Sequence, residues 1–120
     1  IAVLGSTGSI GQQTLEVVRV LRDRFSVVGL GAGSNAELLA SQIKEFRPSI
    51  VSFQGSKRDL RQMLASLSMS APELLSLDEM ASHPDVDLVL IATSGKAGLA
   101  PTLAAIRASI SARSRCRPNW

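Results

Sequence analysis

Residues 1–4 are an unbroken apolar run, Ile-Ala-Val-Leu. Gly5, Gly8 and Gly11 follow at a spacing of three, and a helical apolar pattern then takes in Ile10, Leu15, Val17, Val18 and Leu21. Apolar residues without alternation predict a strand buried on both faces, as in a parallel sheet. The helix is expected over residues 9–22, with Ser9 as its N-cap. Arg19, Arg22 and Arg24 near its end suit the negative pole of the helix dipole.

The alternation continues along the chain. Residues 25–32 (Phe-Ser-Val-Val-Gly-Leu-Gly-Ala) predict a second strand, and Gly33-Ser34-Asn35 a turn and cap. Ala36, Leu38, Leu39, Ile43 and Phe46 make a helical stripe over residues 35–46. Arg47-Pro48 ends it, because the residue before proline disfavours α geometry. Residues 49–53 predict a third strand and 57–67 a helix with Leu60, Met63, Leu64 and Leu67 on one face. A short strand at 73–77, a brief helix at 77–82 with Asp78 as cap and a turn at Pro84-Asp85 come next. Residues 86–92 (Val-Asp-Leu-Val-Leu-Ile-Ala) predict a strong strand, 93–98 a second glycine-bearing loop, and 99–108 a helix that tolerates Pro101 in its first turn.

Strands alternating with helices predict an α/β fold: a Rossmann-like, doubly wound parallel sheet in three αβα layers. Right-handed crossovers place the first strand centrally, with the second and third on one side and 86–92 on the other. A crevice then opens beyond the carboxyl ends of the first strand and 86–92. The loops 5–11 and 93–98 meet there.

Composition narrows the partners. Apolar residues make up 45% of the 120, so a core is available, and few are aromatic. The net charge of +3 comes wholly from Arg113, Arg115 and Arg117, since residues 1–107 carry ten basic and ten acidic side chains. No basic stripe with interleaved aromatics exists, so no nucleic-acid partner is expected. No apolar run of about 18 residues exists, so no membrane span is expected. The start at Ile1 rather than Met predicts a trimmed or incomplete N-terminus, and the first residues do not have the form of a signal peptide. The single Cys116 fits a reducing compartment, and one His with one Cys makes no structural zinc site.

The chemistry centres on Gly5-Ser6-Thr7-Gly8-Ser9-Ile10-Gly11. Glycines let a backbone turn sharply and let a phosphate come close, and the free N–H groups of the following helix face the anion. The spacing is Gly-x-x-Gly-x-x-Gly, with Thr7 where the common dinucleotide fingerprint has its second glycine. Ser6, Thr7 and Ser9 add hydroxyls. A carboxylate at the end of the second strand would bind a ribose 2′-hydroxyl and repel a 2′-phosphate. Here no acid precedes Glu37, and Gly33, Ser34 and Asn35 offer N–H, hydroxyl and amide donors, which permits NADP. Plainer readings stay open: a glycine turn that only joins strand to helix, Ser34-Asn35 as a helix cap, and ordinary turn chemistry at Gly95 and Gly98. His83, Asp85 and Asp87 are expected to be solvated. Lys96 is either simply exposed or within reach of a phosphate.

These strings resemble one family. Residues 1–11 followed by Gln13-Thr14-Leu15, then Ala32-Gly-Ser-Asn35 with Glu37-Leu-Leu39, Gln42-Ile43 and Glu45-Phe-Arg-Pro48, and Gly98-Leu-Ala-Pro-Thr-Leu-Ala-Ala-Ile106, are similar to the opening of 1-deoxy-D-xylulose 5-phosphate reductoisomerases. The resemblance covers residues 1 to about 108. It implies an N-terminal NADPH-binding domain of an enzyme of non-mevalonate isoprenoid synthesis. That enzyme rearranges and reduces 1-deoxy-D-xylulose 5-phosphate to 2-C-methyl-D-erythritol 4-phosphate. It implies a divalent metal (Mn, Mg or Co), a homodimer for the full enzyme, and a cytoplasmic or plastid setting. By resemblance Thr7, Gly8, Ser9 and Ile10 line the NADPH pyrophosphate. Gly33, Ser34 and Asn35 surround the 2′-phosphate, and the loop near Gly95 runs beside the cofactor. Metal ligands, substrate-phosphate residues and catalytic residues belong to later parts of the family's chain.

Two stretches depart from the family. Thr93-Ser-Gly-Lys-Ala97 stands where many members have Ile-Val-Gly and two small residues. Residues 109–120 replace a glycine-lysine turn, a strand and Ala-Asn-Lys-Glu with a basic, acid-free segment. The expectation is therefore a cofactor domain over 1–108, truncated on its C-terminal side. An aberrant, disordered basic tail over 109–120 would come from a frame-shifted or truncated reading. Such a fragment is expected to show no turnover alone. A non-catalytic dinucleotide-binding or regulatory module, and a non-binding relic with an open sheet edge, are the alternatives.

Overall fold

The computed structural model describes residues 1–69, 72–93 and 98–115, with 110–115 described by backbone alone. Five parallel strands run in the order β4-β3-β2-β1-β5. They are β1 (Ala2–Leu4), β2 (Gly29–Ala32), β3 (Ile50–Phe53), β4 (Glu73–Leu74) and β5 (Val89–Ile91). Ala2, Val3 and Leu4 are fully buried, and β1 pairs with β2 (Val3 opposite Leu30) and with β5 (Val3 opposite Leu90). The central first strand and the doubly wound order are those that the sequence predicts.

The helices are α1 (Ser9–Val20), α2 (Ala36–Phe46), α3 (Lys57–Ser66), α4 (Leu77–Ala81) and α5 (Leu99–Arg115). One core lies where Leu15 and Val18 of α1, Leu39 and Ile43 of α2 and Leu60 and Leu64 of α3 meet Val3, Leu30 and Val51 of the sheet. A second joins Ala2, Leu4 and Ile50 to Met80 of α4, with Ala104 and Ala105 of α5 against it. These two cores are the two faces of the predicted sandwich. Among the described residues no helix is long and apolar enough to cross a membrane.

Several boundaries differ from the sequence expectation, each for a physical reason. Residues 25–28 lead into β2 rather than extending it, because β1 offers three residues to pair with. The strand expected at 86–92 shortens to β5 for the same reason, and its residues are only half-buried. The cap of α1 is Gly8, in extended geometry, rather than Ser9, which is already helical. Gly11, Leu15 and Val18 line the inner face of α1, so Ile10 and Val17 point the other way and are 62% and 56% exposed. Ser76, not Asp78, caps α4: its Oγ accepts from the Glu79 amide at 3.1 Å and donates to the Glu79 carboxylate at 3.2 Å. Helix α5 runs past the expected end at Ala108 as far as Arg115, since no glycine or proline stands between these residues to stop it. Residues 116–120 of the expected tail lie outside the described residues.

Candidate functional site

The chain leaves β1 at Leu4 and reverses at once. Gly5 has φ +85°, a conformation that disfavours any side chain. A Cβ there would lie 2.7 Å from the Ala92 carbonyl carbon at the end of β5. The amides of Gly5 and Ser6 both donate to the Gly31 carbonyl of β2, each at 2.8 Å. Gly8 donates back to the Gly5 carbonyl at 3.2 Å. Gly11, one turn into α1, packs directly on that carbonyl. The loop is therefore pinned to β2, β5 and α1 at once.

Two glutamines hold the next carbonyls. Gln12 Nε2 donates to the Thr7 carbonyl at 2.9 Å. Gln42 Nε2, from the buried side of α2, donates to the Ser6 carbonyl at 2.8 Å. With the loop's carbonyls engaged by the protein, the first N–H groups of α1 at Ser9, Ile10 and Gly11 have no helical acceptor. They sit at the positive end of the helix dipole, where an anion is favoured.

A cavity of about 270 Å³ opens at this point, lined by Gly5, Gly8, Gly31, Ala32, Gly33, Gln54, Leu77, Ala92 and Thr93. It lies beyond the carboxyl ends of β1, β2 and β5, the crevice that the topology predicts. A larger trough of about 570 Å³ continues past Gln54 and Leu77 toward Lys57, Asp78 and Glu79. The first cavity reaches its depth because β2 carries Gly31, where a Cβ would strike Leu77 Cδ2 at 2.7 Å.

Of the expected site residues, Gly8 and Gly33 line this cavity together. Thr7 is half-buried beside it, and Ser9 and Ile10 are exposed on the first turn of α1. Ser34 and Asn35 are exposed on the turn after β2. Asn35 caps α2, its Oδ1 accepting from the Leu38 amide at 3.1 Å, which leaves its NH2 as the donor for a ligand. Thr93 lines the cavity, whereas Ser94, Gly95, Lys96 and Ala97 lie outside the described residues. His83 is partly buried, its Nδ1 accepting from the Asp85 amide at 3.1 Å, and Asp85 and Asp87 are exposed.

Gln42, Gln54 and Leu77 complete the site and were not visible as site residues in the sequence. For Gln42 a signal existed: it sits beside Leu39 and Ile43 on the buried stripe of α2, where an amide needs a polar partner. No such signal marks Gln54 or Leu77, which arrive through the fold.

The helices that open on the site are clasped at their far ends. Arg19 of α1 binds the Glu45 carboxylate of α2 through Nε and, at 2.8 Å, through Nη2. Arg19 and Arg22 also lie over the Phe46 ring at 5.7 and 5.8 Å. The hydrogen bond from Arg19 holds the Glu45 carboxyl below its ordinary range. Among the described residues no group of three or more His, Cys, Asp or Glu comes together to hold a metal ion.

The family model for 1-deoxy-D-xylulose 5-phosphate reductoisomerase matches residues 1–111. A reductoisomerase of Pelotomaculum thermopropionicum is 49% identical, over 90% of this chain and 29% of its own. The chloroplastic reductoisomerase of Mentha piperita is 45% identical, over 90% of this chain and 24% of its own. A crystal structure of DOX-P reductoisomerase in complex with NADPH, fosmidomycin and magnesium superposes with a TM-score of 0.81 at 35% identity, over 89% of this chain and 27% of that one. The Zymomonas mobilis enzyme in complex with NADPH gives 0.76 at 33% identity, over 89% of this chain and 29% of its own. The chain thus spans about a quarter of the length of these relatives, and within that span it belongs to the 1-deoxy-D-xylulose 5-phosphate reductoisomerase family.

Proposed function

We propose that this chain is the NADPH-binding part of a 1-deoxy-D-xylulose 5-phosphate reductoisomerase. The observation that carries the reading is the loop 5–11, whose carbonyls are turned into the protein while the start of α1 faces an open cavity. The residues fit the cofactor. Gly8 is exposed with only the Gly5 carbonyl near its Cβ position, at 3.5 Å, and nothing lies within 4 Å of a Cβ at Gly33. Both therefore leave room for a phosphate.

In this reading Thr7, Gly8, Ser9 and Ile10 hold the pyrophosphate, and Gly33, Ser34 and Asn35 hold the 2′-phosphate. NADPH, when bound, supplies a hydride. The chain's own residues bind and orient it. The cofactor unit is read as residues 1–108, in keeping with the family match through residue 111. The whole protein would act on 1-deoxy-D-xylulose 5-phosphate as a homodimer, in a bacterial cytoplasm or a plastid, and its metal and substrate groups would come from later parts of the family's chain.

Titration of the chain with NADPH and NADH, followed by nicotinamide fluorescence, tests the reading. NADPH should bind at least about tenfold tighter, a difference of about 1.4 kcal/mol. Equal affinities, or no binding of either, would overturn it. With 1-deoxy-D-xylulose 5-phosphate and magnesium added, the chain alone should leave NADPH unoxidised.

A further inference from the structure

We propose that Gln42 is a positioning residue for the cofactor pyrophosphate, acting through the Ser6–Thr7 peptide; this rests on the NADPH reading above. Gln42 is 6% exposed and Ser6 fully buried, and they lie 36 residues apart in the chain. The Gln42 amide donates to the Ser6 carbonyl at 2.8 Å, while the Ser6 amide is held by Gly31 at 2.8 Å. Ser6 is thus gripped from α2 on one side and β2 on the other.

The consequence follows from peptide geometry. In a trans peptide the carbonyl of one residue and the N–H of the next point in opposite directions. Drawing the Ser6 carbonyl toward α2 turns the Thr7 N–H away from α2. That amide then stands with the N–H groups at the start of α1 as a donor to an anion. Release of the Ser6 carbonyl would let this peptide rotate and take the donor out of line.

Gln42 also links the two ends of the cofactor site. It lies seven residues beyond Asn35, which caps α2 and ends the turn assigned to the 2′-phosphate. One helix therefore carries the 2′-phosphate turn at its start and grips the pyrophosphate loop about two turns later. Any shift of α2 is felt by both.

The arrangement is costly for the core. Gln42 Oε1 and Ser6 Oγ are both buried without a hydrogen-bond partner. An unsatisfied buried acceptor destabilises, and an apolar side chain of similar size would remove it. Gln42→Met removes the unpaired Oε1 but leaves the buried Ser6 carbonyl without its donor, so a structural role predicts a loss of stability alone, whereas a positioning role also predicts weaker pyrophosphate binding.

The test compares wild type with Gln42→Met, using NADPH and adenosine 2′-monophosphate as probes and the melting temperature as the fold control. The second probe carries the 2′-phosphate but no pyrophosphate. The expected result is NADPH binding weaker by about tenfold, the size of one lost hydrogen bond to an anion. Adenosine 2′-monophosphate should bind within about twofold of wild type, and the melting temperature should fall modestly, because the Ser6 carbonyl loses its donor while the unpaired Oε1 is removed. If Gln42→Met fails to fold, Gln42→Asn replaces it, since its amide is one methylene too short to reach Ser6. Unchanged NADPH binding, or equal weakening of both probes, would overturn the proposal. A wild-type chain that binds neither probe would instead remove the NADPH reading and this inference with it.

Discussion

A β-carbon at Gly11 would stand 2.0 Å from the carbonyl oxygen of Gly5. That oxygen belongs to backbone that cannot swing aside, since Gly5 is itself wedged against Ala92 just beyond β5. The close approach of α1 to the strand it follows thus depends on a hydrogen at position 11. Gly11→Ala should destabilise the chain by about 1–3 kcal/mol or more, the range for forced overpacking. NADPH binding should be lost with it. Chemical denaturation checks the first expectation, and Gly33→Ala is the control, because nothing lies within 4 Å of that Cβ position.

Gly8 separates binding from folding. It is exposed, its φ is negative at −77°, and the Cβ of an alanine would meet only the Gly5 carbonyl at an ordinary 3.5 Å. The methyl group would instead occupy part of the cavity where a phosphate is expected. Gly8→Ala should therefore melt within a few degrees of wild type, as surface substitutions do. NADPH affinity should fall by about tenfold or more, because the lost close approach removes at least one amide contact to an anion. A variant that binds NADPH normally would show that the phosphate lies elsewhere.

Most of the topology was legible because it rests on local signals. The apolar run at Ala2–Leu4, the glycines after it and the alternation of strand-like and helical stretches gave the sheet order and the crevice. Arg47-Pro48 marked the end of α2, which closes with Arg47 in left-handed geometry at φ 49°. What was not legible depends on contacts between distant segments. The strands are shorter than their apolar runs because pairing is limited by the short β1, a property of the partner rather than of residues 25–32. The hydroxyl of Ser9 marks it as a cap of α1 in the sequence, yet the loop needs Gly8 there and Ser9 is drawn into the helix. Gln54 and Leu77 enter the site through the fold, which no spacing in the sequence encodes, whereas the place of Gln42 on the buried stripe of α2 signals only that its amide needs a partner. The continuation of α5 beyond Ala108 has no apolar period to announce it and rests on the absence of helix breakers.

Ser34 offers a test of cofactor choice. It is exposed on the turn after β2, one residue beyond Gly33 on the cavity wall and one before the cap Asn35. A carboxylate placed there would face the ribose, where it accepts from two hydroxyls in NADH but repels a 2′-phosphate. Ser34→Asp should weaken NADPH binding by about tenfold or more, and leave NADH unchanged or improved. Paired titrations of both cofactors measure the ratio. The NADPH loss should shrink in high salt, because charge repulsion at an exposed turn is screened.

The Arg19–Glu45 clasp supplies a pH-dependent component of stability. Glu45 is held below its ordinary carboxylate range, first by the Arg19 hydrogen bond and then by the charges of Arg19 and Arg22. A carboxyl with a depressed folded-state value contributes stability that is present above its unfolded value and is lost as pH falls through the folded one. Arg19 is shifted upward from an already high value, so it stays charged throughout and adds no pH dependence in the working range. Both side chains are substantially exposed, at 46% and 34%, so the effect is small and salt-sensitive. Glu45→Gln should lower the melting temperature by at most a few degrees at neutral pH and low salt. The gap to wild type should close as the pH falls through the lowered Glu45 value and the carboxylate takes up its proton, and also in about 1 M salt at neutral pH. A gap that persists under both conditions would mean that Glu45 acts through packing with Phe46 rather than through its charge.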